Sequence, residues 1–269
     1  MKKILKLAAV CAAAALAFSS CSKKTEKGEF TVEKGTLKIG MEIGYPPFEY
    51  FDTDGKTPCG FDVELGKEIA KRLGLKADFV DIAWDGILGG LDTNKYDAIM
   101  SAMTITPERK ENYDFSTPYI GNGQSLIILK DSKLNISSPA DVKGLKVGYQ
   151  AETTSDYFMK KQEMDKGVNY VHEEYDKVMN AYDDLRLGRI DAVCSDYLVA
   201  VDYLGKKGSP YQCVWKGTPD EYFGVCVKKG NIALLDKIND AIAEMKADGT
   251  LKTIYEKVFG MDLSDSIPQ

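Results

Sequence analysis

Two separated stretches of this chain repeat each other, and that repeat constrains the fold more than any other feature. Leu37-Lys38-Ile39-Gly40 returns as Leu145-Lys146-Val147-Gly148, and LDTNKYDAIMS (91–101) returns as LRLGRIDAVCS (185–195). Each copy reads as a first strand followed, some distance later, by a helix, a basic turn and a short buried strand carrying Asp-Ala. One enlarged core has no use for the same unit twice, whereas two similar α/β lobes do. About 235 folded residues suit two modest domains.

The segments between the repeats fill in the lobes. Leu37–Glu42 reads as a strand, Gly44–Pro47 as a loop, Phe48–Phe51 as a second strand and Asp52–Gly55 as a turn. Phe61, Leu65, Ile69 and Leu73 recur every four residues and share one helix face, with strand Leu75–Val80 after it. Residues 84–93 read as a helix, 97–101 as a buried strand, and Thr106-Pro107 as a capped helix start. Beyond these come strands Gln124–Leu129, Lys146–Gln150, Asn169–Glu173 and Ile190–Cys194, and helices Ser155–Met164, Asp176–Leu187 and Tyr197–Leu204. A short helix is expected near Ser137-Ser138, and a strand over Tyr211–Trp215. After EYFGVCVKK, the stripe Ile232, Leu235, Ile238, Ile242 and Met245 marks a long helix ending at Asp248-Gly249, and Leu251, Ile254, Tyr255 and Val258 mark a last one. This alternation of strands and helices is that of an α/β layer with largely parallel pairing. The C-terminal part is expected to return to the first lobe, so that two crossings form a two-strand hinge.

The N-terminus is separate from the fold. Lys2, Lys3 and Lys6 precede an apolar run from Leu7 to Phe18, too short to cross a bilayer and ending in small residues. It reads as an export signal. Cys21 resembles the lipid-modified cysteine of bacterial lipoproteins, although Phe18 stands where an aliphatic residue is usual, and lipidation would anchor the chain to a membrane without spanning it. Ser22–Gly35 is charged and poor in apolar residues, as a tether is. The expected boundaries are a signal over 1–20, a tether over 21–35, lobe one over 36–120, lobe two with the crossings over 121–219, and a return to lobe one over 220–269.

The full chain carries 35 basic and 41 acidic side chains, and losing the three signal lysines leaves a net charge of about −9, which argues against a nucleic-acid partner. Cys59, Cys194, Cys213 and Cys226 show no metal-ligand spacing; export permits a disulfide, but no pair is marked. The single histidine, His172, reads as a surface strand residue, so no histidine-based catalysis is supported. Nothing asks for a cofactor or a metal.

Two charged residues stand out locally. Arg109 lies in the first turn of the helix that Thr106 and Pro107 open, where free N–H groups and the positive helix end favour an anion. It is placed either to hold a carboxylate or to pair on the surface with Glu108 or Glu111. Asp196 follows the second Asp-Ala strand and begins a helix, where a plain cap is the local alternative to a ligand contact.

Taken in order, YPPFEY, GFDVELGKEIAKRLG, WDGILGGL, YDAIMSAMTITPER, DFSTPY, LKVGYQAETTS, GRIDAVCSD and KADGTLKTIYEKVFG resemble the family 3 extracellular solute-binding proteins, receptors of ABC importers for polar amino acids. The resemblance runs from about Leu37 to Gly260. It implies a type II periplasmic-binding-protein-like fold, two α/β lobes on a two-strand hinge, with a ligand cleft between them at strand C-terminal ends. It further implies that Arg109 holds the α-carboxylate of an amino acid, aided by Ser101, Thr104 and Thr154, and that Asp196 in the opposite lobe holds the α-ammonium. Tyr45 and Trp84 match the aromatic pair that flanks the ligand side chain. Ala102 stands where serine is common, so its contact would come through the backbone. A zwitterion bridging Arg109 and Asp196 would close the lobes through charge-assisted hydrogen bonds of about 1.5–3 kcal/mol each.

Glu42 ends the first strand where the family's cation binders carry an acidic group. With Asp196 already on the α-ammonium, a second carboxylate in a partly desolvated cleft asks for another positive group, so arginine or lysine is expected. Cystine comes second and glutamine after it. The expected partners are the free L-amino acid, the permease subunits of an ABC transporter and, through Cys21, a membrane facing the periplasm or cell exterior; the receptor itself is expected to be a monomer and not an enzyme. The alternatives are an enzyme resembling the cyclohexadienyl dehydratases and a sensor built on the same site.

Overall fold

The computed structural model describes residues 30–268. The expected export signal over 1–20 and the expected lipidation site Cys21 lie outside the described residues. Lobe one opens with β1 (Thr36–Met41), a small hairpin of β2 (Tyr50–Phe51) and β3 (Pro58–Cys59), α1 (Phe61–Arg72) and β4 (Lys76–Asp81). It continues through α2 (Ile87–Asp92), β5 (Ala98–Ile99), α3 (Pro107–Asn112) and β6 (Tyr113–Phe115). The chain crosses on β7 (Ile120–Asn122) into β8 (Gln124–Leu129), β9 (Lys146–Gln150), α4 (Thr154–Lys166), β10 (Val171–Tyr175), α5 (Val178–Arg186), β11 (Ala192–Asp196), α6 (Tyr197–Gly205) and β12 (Tyr211–Lys216). It returns on β13 (Glu221–Phe223) to β14 (Cys226–Lys228), α7 (Ile232–Ala247) and α8 (Thr250–Phe259).

The two sheets have one plan. Their strand orders are β4-β1-β5-β14-β6 and β10-β9-β11-β8-β12, each with two parallel pairings followed by two antiparallel ones. The strands that enter from a crossing, β14 and β8, hold the same place in both. The repeat in the sequence is the cause. Ile39 and Gly40 pair with Ala98 and Ile99, and Val147 and Gly148 pair with Ala192 and Val193, in equivalent register. At the mouth of each pair, an aspartate accepts the backbone N–H of a lysine: Lys38 to Asp97 Oδ2 at 2.8 Å, and Lys146 to Asp191 Oδ2 at 2.8 Å. The glycines are there for space. A Cβ on Gly40 would lie 2.5 Å from the Tyr96 ring, and one on Gly148 would lie 2.6 Å from Ile190 Cδ1. Tyr96 and Ile190 are themselves equivalent positions of the repeat.

The crossing strands pair antiparallel, Glu221 with Asn122 and Phe223 with Ile120, and make the hinge. One apolar cluster runs from the α1, α7 and α8 side of lobe one through Ile120 and Phe223 to the α5 and α6 side of lobe two. At its centre the Phe48 ring meets those of Phe61, Phe223 and Phe259 at 5.3–6.1 Å, and Phe61 stacks on Tyr255. Edge and tilted contacts of this kind add about 0.5–1.5 kcal/mol each beyond burial. Separate clusters fill the other face of each sheet.

Several boundaries move from the sequence expectation. The strand expected over 48–51 shrinks to β2, because Glu49 folds back in a turn whose carbonyl accepts the N–H groups of Gly44 and Tyr45. Residues 84–93 divide into a 3-10 turn at Trp84–Gly86 and α2. Strands β10 and β11 lie two residues later than their apolar runs suggest. For β11 the reason is its antiparallel partner, since β8 pairs Gln124 with Asp196 and draws the polar end into the sheet. The short helix near Ser137-Ser138 is a 3-10 turn with a capping box of Ser138 and Asp141. His172 is not a plain surface residue: it is half-buried, stacks 4.1 Å from Tyr170, and bonds Tyr149 and Glu163. Cys59, Cys194, Cys213 and Cys226 are free thiols.

Candidate functional site

The C-terminal ends of β1 and β9 face each other across the hinge, and they are equivalent positions of the repeat. Glu42 directly follows β1 and Gln150 ends β9, and Gln150 Nε2 donates to Glu42 Oε2 at 2.8 Å. Around this contact lies a cavity with about 20 Å³ of free volume, room for about one water. Glu42, Tyr45, Trp84, Ser101, Ala102, Thr104 and Arg109 line it from lobe one, and Thr154 and Asp196 from lobe two, so the residues expected at the ligand lie around one cavity. Glu49, Gln150 and Thr153 complete the wall.

Arg109 stands where the capped helix start puts it. Thr106 is the N-cap and its Oγ1 accepts the Arg109 N–H at 3.2 Å, with Pro107 next. The guanidinium turns away from Glu108 and Glu111. Its Nη1 donates to the Thr104 carbonyl at 2.8 Å and its plane lies 5.4 Å from the Trp84 ring centroid. Among the described residues it has no ion pair, and burial lowers its pKa from the ordinary arginine value. A desolvated guanidinium with donors to spare is a receptor for a carboxylate.

Asp196 occupies the N-cap position of α6, yet its side chain caps nothing. The carboxylate points into the cleft, where Oδ2 accepts the Tyr45 hydroxyl at 2.5 Å and Oδ1 accepts Asn122 Nδ2 at 2.7 Å and Gln124 Nε2 at 3.2 Å. Burial raises its pKa, and the nearby Glu221 raises it further. A cationic group would reverse that effect.

Glu42 is 2% exposed. Its Oε1 is a buried atom without a hydrogen bond among the described residues, although Lys177 Nζ from lobe two lies 3.7 Å away. Burial pushes its carboxyl up to about 7, against the lowering effects of Gln150 and Lys177. Lys177 is the cation that sequence reasoning did not foresee. Glu49 on the wall and Asp62 behind it are fully buried, each with one oxygen unpartnered among the described residues, and burial together with their mutual proximity raises the Glu49 pKa well above the ordinary range.

The loop between β5 and α3 is tied down by its own bonds. Ser101 Oγ accepts the Glu42 N–H at 3.0 Å and donates its one proton to Glu49 Oε1 at 2.7 Å. Ala102 takes a positive φ of 44° and gives its N–H to Asp62 Oδ2 at 2.7 Å. In this geometry neither the Ser101 hydroxyl proton nor the Ala102 N–H is free for a ligand, which differs from the simple expectation for both. Thr104 and Thr154 each donate a hydroxyl to Glu221 Oε2, at 3.3 and 3.0 Å. Tyr45 enters through its hydroxyl as much as its ring, and Trp84 Nε1 reaches across the cleft to the Glu152 carbonyl at 3.1 Å.

Of the residues missed, Gln150 was within reach of the repeat, being the counterpart of Glu42. Glu49, Gln124, Lys177 and Glu221 carried no local signal, because a polar residue on a short strand or turn looks the same whether it faces water or a cleft.

The family model for bacterial extracellular solute-binding proteins, family 3, matches residues 37–261. The L-cystine-binding protein TcyJ of Escherichia coli (strain K12) is 40% identical over 232 residues, covering 86% of this chain and 85% of its own. Among solved structures, an ancestral arginine-binding protein bound to arginine superposes with a TM-score of 0.80 at 42% identity, over 84% of this chain and 99% of that one. The ancestral amino acid-binding protein AncCDT-1, a precursor of cyclohexadienyl dehydratase, superposes with a TM-score of 0.77 at 37% identity, over 84% and 96%.

Proposed function

This chain belongs to the family 3 bacterial extracellular solute-binding proteins and is an amino-acid-binding receptor of an ABC transporter, and from that premise we propose that its ligand is an L-amino acid with a second cationic group, arginine or lysine. The observation that carries the reading is Glu42 Oε1, a buried carboxylate oxygen with no hydrogen bond among the described residues, on the cavity wall shared with Asp196. Asp196 takes the α-ammonium, Arg109 the α-carboxylate, and Glu42 the side-chain cation. Burial disfavours the ionised forms of Glu42 and Asp196, and a ligand with one cationic group beside each would favour them.

Lys177 favours a second reading, cystine. A carboxylate and an ammonium 3.7 Å apart at Glu42 and Lys177 would receive the second zwitterionic half of cystine, as Asp196 and Arg109 receive the first. Calorimetric titration with the protein amino acids and cystine decides between the two. We expect arginine or lysine to bind at least tenfold tighter than glutamine, about 1.4 kcal/mol, and Glu42→Gln to narrow that gap. A ranking headed by glutamine or glutamate would remove the cationic reading. Conversion of prephenate or arogenate to an aromatic product would place the protein with the dehydratases instead.

We also read residues 1–20 as an export signal and Cys21 as a lipid anchor. Metabolic labelling with a fatty acid should mark the wild type and not Cys21→Ser; equal labelling would show that the thioether anchor is absent. The receptor works as a monomer in this reading, which sedimentation checks.

A further inference from the structure

Glu221 lies on β13, one of the two hinge strands, and its side chain reaches into the seam between the lobes. Oε2 accepts the Thr104 hydroxyl of lobe one at 3.3 Å and the Thr154 hydroxyl of lobe two at 3.0 Å, while Oε1 accepts Gln124 Nε2 at 2.8 Å. One carboxylate thus joins both lobes from the hinge itself. Thr104 and Thr154 are the hydroxyls assigned above, with Arg109, to the ligand's α-carboxylate.

A hydroxyl has a single proton to donate. While Thr104 and Thr154 spend theirs on Glu221, they present lone pairs to anything else, and lone pairs repel a carboxylate. We propose that Glu221 is the protein's own substitute for the ligand carboxylate: it holds the two threonine hydroxyls and keeps the lobes together, and an incoming α-carboxylate displaces it. This rests on the reading of the cleft as an amino-acid site.

The ligand can win this exchange because of Arg109. That guanidinium has no ion pair among the described residues and bonds the Thr104 carbonyl, so Glu221 leaves it without a counter-ion. A free carboxylate at the same hydroxyls also reaches Arg109, and gains a charge-assisted pair that Glu221 does not make. Affinity is then set by a competition, and a self-latched form lowers apparent affinity by the fraction of molecules it occupies.

The test uses the mature protein, Glu221→Gln and Glu221→Ala, with melting curves to establish folding; the isosteric glutamine serves if the alanine form does not fold. Small-angle scattering without ligand should give both variants a larger radius of gyration than wild type. Titration with L-arginine and L-cystine, and with L-argininamide, should show carboxylate ligands binding about tenfold tighter to the variants, with a smaller gain for the amide. Variants as compact as wild type, or carboxylate ligands that bind more weakly, or equal gains for acid and amide, overturn the proposal. Wild-type protein that binds neither L-arginine nor L-cystine overturns the amino-acid reading, and with it the substitution of one carboxylate for another, while the radius comparison still reports whether Glu221 latches the lobes.

Discussion

Arg109 and Glu42 bring opposite charges into one cleft from the same lobe, and each is destabilised by its burial. For Arg109 the consequence is a loss that only a carboxylate makes good. Arg109→Ala should leave the fold intact by circular dichroism and weaken amino-acid binding by roughly thirtyfold or more, since removing one member of a buried charge pair costs about 2–5 kcal/mol. Binding within threefold of wild type would put the carboxylate elsewhere. For Glu42 the consequence is a pH dependence. Its carboxyl is raised from the ordinary 4.5 to about 7, so the folded protein holds a proton there that the unfolded chain has released. The folded state therefore binds more protons between pH 4.5 and about 7, and stability falls as pH rises through that window. Asp196, Asp62 and Glu49 are displaced in the same direction and add to it. The ligand-free protein should melt at a higher temperature at pH 5 than at pH 7.5, with Glu42→Gln removing a share on the order of 3 kcal/mol at most. A melting temperature that climbs over this range would mean that the cleft carboxylates are ionised and paired.

Among the elements, the first strand of each lobe is where the repeat is under the greatest steric demand. Gly40 on β1 faces the Tyr96 ring, whose hydroxyl is held by the Ile87 carbonyl and whose other side meets Gly90. That ring has nowhere to go. Gly148 on β9 faces the far end of the Ile190 side chain, which can rotate. Gly40→Ala should therefore cost about 2–3 kcal/mol and Gly148→Ala about 1 kcal/mol, the range for overpacked cores. Urea unfolding of the two variants checks the ranking, and equal costs would show that the two lobes resist in the same way. The short element β13 has a different burden: three residues carry both the Phe223 ring into the hinge core and Glu221 into the seam.

At the level of the whole molecule, the hinge joins two lobes whose facing surfaces hold acceptors and donors for the same small ligand. The lobe-to-lobe bonds, which include Tyr45 to Asp196, Gln150 to Glu42, Trp84 to Glu152 and the Lys177 and Glu42 pair, are polar, and such contacts exchange readily with a ligand. Moving a two-state equilibrium from mostly one form to mostly the other takes about 5.5 kcal/mol, which two or three charge-assisted bonds supply. Small-angle scattering should show a more compact particle at saturating ligand than without it, by less in the wild type, which Glu221 partly latches, than in the Glu221 variants. An unchanged radius in both the wild type and the Glu221 variants would mean that the hinge does not carry the response.

The sequence by itself determined the duplicated lobe, because its demands are local: a glycine where a neighbour's side chain must fit, an aspartate that takes a lysine N–H, and apolar runs at strand and helix periods. It also placed Arg109, since a cap, a proline and a cation within four positions define a helix start by short-range geometry, while the ligand roles expected of Arg109, Asp196 and Glu42 came from the family resemblance. The tertiary structure decided what those groups face. Lys177 beside Glu42, Glu221 beneath Thr104 and Thr154, and the Glu49 and Asp62 pair behind Ser101 and Ala102 come from segments distant in the chain. Burial and electrostatic neighbours depend on distance in space, so the charge balance of the cleft, and with it the choice of ligand, arises only when the two lobes meet.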